Sequence, residues 1–312
     1  MGCTCLVGYT GFVGSNLDRS AHFDCRVNSR TVQTAYGLKP DLLVYAGVRA
    51  EKYLANQEPE KDMRLIRDAI ENIKKINPKK LVLISTIDVY KNPVDVDEDS
   101  PIDVDNLLPY GRNRYFLEQW CRENIDDCMV VRLPGLYGNN IKKNFIYDYI
   151  NIIPSMIRNE RFQLLTVSDE FLKSYYVKLD NGFYRCRDLN EEEKKILRTY
   201  LLKSGFTALN FTDSRAVFQF YPLKRLWSDI MEGESAGIAL LNLSTEPIGV
   251  SVLYEFLSGK KFENELDGMI PYYNFKSKYA SSVFGGSNGY LLDRKYIMQD
   301  IKRFIELNNM NL

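Results

Sequence analysis

The feature that most constrains this chain lies at its very start. An apolar run at residues 3–7 leads without a break into Gly8-Tyr9-Thr10-Gly11-Phe12-Val13-Gly14, and a helical stretch at 12–19 follows. Glycines let a backbone turn tightly and approach a pyrophosphate closely, while the first turn of the helix offers unpaired N–H groups and the positive end of its dipole. The strand before and the helix after favour Gly8, Thr10, Gly11, Phe12, Val13 and Gly14 as a phosphate cradle, the alternative being a glycine-rich turn without a ligand.

The segments that follow keep the same rhythm. Residues 25–28, 41–46, 81–86 and 129–132 read as short strands, with helices at 61–76 and 110–123 between them. In the first of these helices Met63, Ile66, Ile70 and Ile73 recur at three- and four-residue spacing, which is one face of a helix. Strands that are apolar throughout and alternate with helices imply a parallel sheet covered on both faces. The expected fold is therefore α/β, a Rossmann-type doubly wound parallel sheet, with a smaller C-terminal substrate-binding part. The rhythm changes near residue 140, so we divide the chain into a dinucleotide-binding part at 1–140, to which later strands can add, and a second part at 141–312. That second part holds a charged insertion at about 160–205, a late strand at 238–242, and helices at 248–257 and 296–307.

The second strand ends in Asn28-Ser29-Arg30. A reader of NAD usually places Asp or Glu there to accept from the ribose hydroxyls. A hydroxyl and a guanidinium suit a 2′-phosphate instead, which favours NADP over NAD, or else Arg30 is an exposed loop arginine. The third strand ends in Ala46-Gly47, where the backbone would face the same ligand.

Composition excludes several other functions. Lys+Arg and Asp+Glu are both 41, so the basic excess of a nucleic-acid or membrane-surface binder is missing. One histidine, His22, and six cysteines without a CxxC pair argue against a zinc site, and no metal is expected. The thiols read as idle groups in a reducing compartment. No apolar run reaches the length of a membrane span, so the expectation is a cytoplasmic protein with no membrane partner.

Four segments, in order, resemble the extended short-chain dehydrogenase/reductase family of nucleotide-sugar epimerases, dehydratases and reductases. They are the glycine loop at 8–14, Val44-Tyr45-Ala46-Gly47, the run 85–90 with Tyr110-Gly111-Arg112-Asn113-Arg114, and the run 132–138. A later run at 241–248 is similar to the family's strand leading into its last substrate-domain helix. The resemblance implies a Ser or Thr after the fifth strand and a Tyr with a Lys four residues on, the Tyr moving a proton and the Lys holding the nicotinamide ribose. Thr86 and Tyr110 match, and Arg114 stands where the family has lysine. Arginine keeps a permanent charge but is a planar fork, not a compact ammonium. Dehydratases of the family carry an acidic pair after the Thr. Here those residues are Ile87 and Asp88, so dehydration is not expected, while Asp88 remains either a proton acceptor or a backbone-bound carboxylate.

The resemblance further implies that the region after 138 meets a diphosphate, which points to Lys142, Lys143 and Asn144, or else to a solvated basic turn. The aromatic run at 218–225 offers Gln219, Tyr221 and Arg225 for a nucleotide, or else a piece of core. Arg49, Lys52 and Tyr53 fall in the loop that in this family overhangs the nicotinamide and the sugar. The implied activity is NAD(P)-dependent hydride transfer on a nucleotide-activated sugar. A non-redox nucleotide-sugar isomerase or mutase and a catalytically silent dinucleotide-binding protein are the alternatives. On the Tyr helix Phe116, Leu117 and Trp120 suit either core or a homodimer interface.

Overall fold

The computed structural model describes residues 2–167 and 169–309. In chain order the first half runs β1 (Thr4–Val7), α1 (Phe12–Ser20), β2 (Cys25–Val27), β3 (Leu42–Tyr45), α2 (Lys52–Gln57), α3 (Pro59–Ile76), β4 (Lys80–Thr86), α4 (Pro109–Asn124), β5 (Asp127–Leu133) and β6 (Gly135–Tyr137). Then follow α5 (Phe145–Asn151), β7 (Met156–Arg158), α6 (Asn159–Leu165), β8 (Tyr176–Lys178), β9 (Phe183–Cys186) and α7 (Glu191–Ser204). The chain ends through β10 (Val217–Phe218), β11 (Phe220–Pro222), α8 (Leu226–Ser235), β12 (Leu240–Asn242), β13 (Ile248–Gly249), α9 (Val250–Ser258) and α10 (Arg294–Asn309).

Six strands form the central sheet in the order β12-β5-β4-β3-β1-β2, every pair parallel. Alternate residues of each strand enter opposite cores, as the pleat requires. Leu6, Val44, Val82, Met129 and Val131 pack with Leu17, Ile230 and Ile301 on one face. Cys5, Val7, Leu43, Tyr45, Leu81, Leu83 and Val130 pack with Ile66, Ile73, Leu117 and Cys121 on the other. Continuous apolar strands are the consequence of this double burial, and the fold is the doubly wound α/β architecture expected.

α3 follows the same logic. Pro59 supplies a preset φ at its first position, Ile66, Ala69, Ile70, Ile73 and Ile76 face the sheet, and Asn77 in the left-handed region at φ 56° stops it before Pro78. Leu117 joins the core, Trp120 packs beside it under the Lys74 ammonium, and Phe116 stays half exposed.

Two departures from the sequence expectations have clear causes. Between β2 and β3 the chain makes one 3-10 turn, Val32–Ala35, and β3 pairs with β1, so the strand that delivers Thr86 is the fourth, as its own pattern placed it, where the resemblance implied a fifth. The helix expected at 248–257 begins at Val250, because Ile248 and Gly249 pair with β10.

The later chain is not a separate layer. β12 extends the main sheet beside β5, and β11 pairs with β6. The charged insertion builds a three-stranded antiparallel sheet, β7-β9-β8, and α7, with its own core of Ile157, Phe162, Leu172, Leu197, Leu201 and Phe206. Asn190 and Glu193 close a reciprocal cap at the start of α7, which orients its acidic first turn along the helix dipole.

Candidate active site

One cavity of about 1550 Å³ runs along the C-terminal ends of β1, β3 and β4, where open parallel sheets bind ligands. A single drug-sized ligand fills about 300–1,000 Å³, so this space suits two ligands or one long one.

The glycine loop forms its floor. Gly8 has φ +93°, and a Cβ on Gly14 would lie 2.1 Å from the Gly8 carbonyl oxygen. Only glycine at 14 lets α1 start this close beneath the loop. Gly11 caps α1 without a side-chain partner. The first-turn N–H groups therefore face the cavity alongside Gly8, Thr10, Gly11, Phe12 and Val13. That cradle fits a pyrophosphate.

At the outer end Asn28 and Ser29 line the cavity. Arg30 does not. The Asn28 carboxamide accepts from the Arg30 backbone N–H at 2.9 Å, and the tight turn carries the Arg30 side chain to the exposed side. The wall there is built instead by residues the sequence did not single out: Gln33 and Tyr36 from the shortened β2–β3 connection, and Asn72 and Lys75 from α3. Tyr36 donates to Asn72 at 2.8 Å, and the Lys75 ammonium lies 5.3 Å over the Tyr36 ring.

Ala46 and Gly47 continue the wall toward the inner end, where Thr86, Asp88, Tyr110 and Arg114 all line the cavity. Their meeting depends on one close approach. A Cβ on Gly111 would lie 2.1 Å from the Asp88 carbonyl oxygen, so glycine after Tyr110 is what seats α4 on the turn after β4. Tyr110 sits in the first turn of α4, almost buried, with its backbone N–H on the Asn56 carboxamide at 2.9 Å. Burial pushes its phenol above the ordinary value, and the Asp88 carboxylate adds to this. The Arg114 charge, a hydrogen bond with Thr86 and the Lys52 charge act against it.

Arg114 is 5% exposed. One guanidinium nitrogen donates to Asp62 of α3, another to the Arg49 carbonyl, and the plane lies 4.2 Å over the Tyr110 ring. Asn113 holds the same Asp62 oxygen at 2.9 Å. Asp88 is bound to side chains rather than to loop backbone: it accepts from Lys52 Nζ at 2.7 Å and from the Tyr273 hydroxyl at 3.2 Å. Burial works against the Lys52 ammonium, yet Asp88 and Tyr273 hold it above its ordinary value.

On the substrate side Lys142, Lys143 and Asn144 line the cavity. The Lys143 ammonium donates to the Ala50 carbonyl, and burial holds it below the ordinary lysine value. Asn144 caps α5, accepting from the N–H of Ile146 at 3.0 Å and Tyr147 at 3.3 Å while donating to the Leu136 carbonyl at 2.7 Å. Asp148 also faces the cavity, and burial raises its carboxyl to about 7.

The aromatic run divides differently from expectation. Gln219 borders the cavity but is 1% exposed, its amide clamped to the carbonyls of Thr245 and Phe275 and to the Phe275 N–H. Tyr221 is wholly buried with its hydroxyl 2.5 Å from Asp229, and Arg225 reaches the same carboxylate at 2.9 Å. Neither lines the cavity: Tyr221 is buried within β11 and Arg225 follows it in a 3-10 turn, and both are bound to Asp229 of α8.

Behind the site lies a charged network. Arg132 of β5 and Glu118 of α4 pair at 2.6 Å with 2% and 0% side-chain exposure, joined by Ser85, Tyr90 and Asn242. It ties α4, β4, β5 and β12 together directly beneath Thr86 and Tyr110.

No protein-family model matches the chain, and no curated protein matches it. Solved structures do match in fold over nearly the whole length. RMD from Pseudomonas aeruginosa complexed with NADPH has 14% identity and a TM-score of 0.64, covering 98% of this chain and 99% of its own. MoeE5 in complex with UDP-glucuronic acid and NAD has 15% identity and a TM-score of 0.63, covering all of both chains. UDP-glucose 4-epimerase from Thermotoga maritima, bound to UDP-glucose, has 13% identity and a TM-score of 0.60, covering 99% of each. The fold is thus that of the Rossmann-type nucleotide-sugar epimerases and reductases. Among the described residues no helix is long and apolar enough to cross a membrane.

Proposed function

We propose that this protein is an NAD(P)-dependent oxidoreductase or epimerase acting on a nucleotide-activated sugar. The observation that carries this reading is the joining, in one cavity, of the glycine cradle at 8–14 with Thr86 and Tyr110 at the inner strand ends. The cradle would hold the dinucleotide pyrophosphate, and the nicotinamide when bound would give or take the hydride. Tyr110 moves the proton at the sugar oxygen, and Thr86 holds that same oxygen. Arg114 keeps a fixed positive charge under the phenol ring. Lys142 and Lys143 serve the diphosphate of the sugar nucleotide. The absence of a carboxylate at Asn28-Ser29 supports NADP over NAD.

Titration with NADPH and NADH, followed by nicotinamide fluorescence, tests the first half of the reading. Micromolar binding with NADPH preferred is expected, and no binding by nucleotide-free protein overturns it. A panel of UDP- and dTDP-sugars then tests the second half. Tyr110→Phe should cut turnover about 100-fold or more, and an unchanged rate removes Tyr110 from the chemistry. Cofactor binding with no conversion that depends on Tyr110 would favour the binding-only reading.

A further inference from the structure

A phenol that gains and loses a proton works best beside a cation that can follow the charge. At position 114 the cation is fixed beneath the ring and committed to Asp62 and the Arg49 carbonyl. The ammonium bound to Asp88 belongs to another residue. Lys52, the first residue of α2, places Nζ 2.7 Å from Asp88 Oδ1 and 3.5 Å from the Tyr273 hydroxyl, which itself lies 3.2 Å from the same oxygen. Asp88 N–H donates to Thr86 Oγ1 at 3.2 Å, so this cluster begins two residues from the threonine and borders Tyr110. A tyrosine–lysine couple thus exists here, assembled from residues 221 positions apart rather than from one helix.

We propose that Lys52 is the working ammonium of the site: held by Asp88 and Tyr273, it cancels the carboxylate charge beside Tyr110 and stabilises negative charge on the oxygen shared by Tyr110 and Thr86. This rests on reading the site as an acid–base centre. The groups that face Tyr110 are Arg114 from its own helix, Asp88 from the turn after β4 and Lys52 from α2. Around Lys52 stand Asp88, Tyr273 and, from the loop before α5, Lys143, itself neighboured by Glu51. Asp88 pushes the phenol up and Lys52 pulls it down, so removing Lys52 leaves the carboxylate uncompensated.

The test is a fluorinated tyrosine introduced at position 110 by genetic-code expansion, titrated by fluorine NMR in the full-length protein. Lys52→Met should raise its midpoint by about one pH unit, a tenfold loss of phenolate. Lys52→Arg should stay within a few tenths of a unit, and adding Asp88→Asn to Lys52→Met should bring the midpoint back down. The Lys52 side chain is 44% exposed, so the Met variant should fold, and a melting curve checks that. A folded Lys52→Met protein with an unmoved midpoint overturns the proposal, as does a Lys52→Arg variant that behaves like Met. The readout needs neither cofactor nor substrate, so failure of NADPH and NADH to bind would sink the enzymatic reading while leaving this result to stand alone. Where a sugar nucleotide is turned over, Lys52→Met should shift the Tyr110 limb of the pH–rate profile upward by the same amount.

Discussion

Arg114→Lys is the substitution on which the geometry speaks most directly. The guanidinium bonds Asp62 and the Arg49 carbonyl from two different nitrogens and stacks on Tyr110, all at 5% exposure. A lysine has one ammonium and can keep only the Asp62 partner, leaving the carbonyl unpaired and the ring face bare. A hydrogen bond from a charged donor contributes about 1.5–3 kcal/mol and a cation over a ring about 0.5–1 kcal/mol. Part of the first returns if water reaches the carbonyl, so the expected loss is about 2 kcal/mol. For a chain of this size that lowers the melting temperature by about 4 °C. Urea unfolding of the cofactor-free protein measures it, with the slope required to stay constant so that the midpoint reports stability alone. If the ammonium leaves Asp62 for the cavity, the loss grows, because a buried carboxylate is then unpaired. An Arg114→Lys protein as stable as the parent, within about 0.5 kcal/mol, would refute the claim that Arg114 is held by these contacts.

Three further outcomes follow from the same structure. Gly14→Ala drives a Cβ to 2.1 Å from the Gly8 oxygen, so the loop must shift and NADPH affinity should fall about 100-fold; an unchanged titration would show the cradle is not the binding site. Asp148 has a folded value of about 7, above its ordinary 3.8, so it destabilises the fold increasingly as pH rises through that interval. Asp148→Asn should therefore be more stable than the parent at pH 8 by about 1 kcal/mol, after discounting partial exposure, and not at pH 4; equal gains at both would dismiss the raised carboxyl. Glu118→Gln strips the charge partner of the buried Arg132 and should cost about 3–5 kcal/mol in urea unfolding, much of it recovered with Arg132→Met added; a loss under about 1 kcal/mol would contradict the network.

What could be read in advance from the sequence was local. The cradle is seven consecutive residues whose glycines each have a steric reason, and the apolar strands announce double burial one residue at a time. The elements at 4–7, 80–86 and 127–133 accordingly lie where the patterns placed them. Edges were less legible, because pairing decides them: β13 takes Ile248 and Gly249 from the expected helix only since β10 lies opposite. The run at 218–225 was open to two readings, a nucleotide platform or a piece of core, and spacing could not choose, because the acid that binds Tyr221 and Arg225 is Asp229, in the next helix.

The inner site shows the same division more sharply. The helix spacing of Tyr110 and Arg114 is visible in five residues, and it correctly puts both side chains on one cavity. It says nothing of Asp62, fifty-two residues earlier, which accepts a hydrogen bond from the guanidinium. Nor does any spacing join Lys52, Asp88 and Tyr273, which come from the start of α2, the turn after β4 and a segment 221 residues after Lys52. A motif read along the chain records which residue stands at a position, whereas the charge available to a reacting atom is fixed by what else has closed around it. Here the arginine stands at the familiar position and the accessible ammonium does not, so the electrostatics of Tyr110 must be worked out from Asp88 and Lys52 as well as from its own helix.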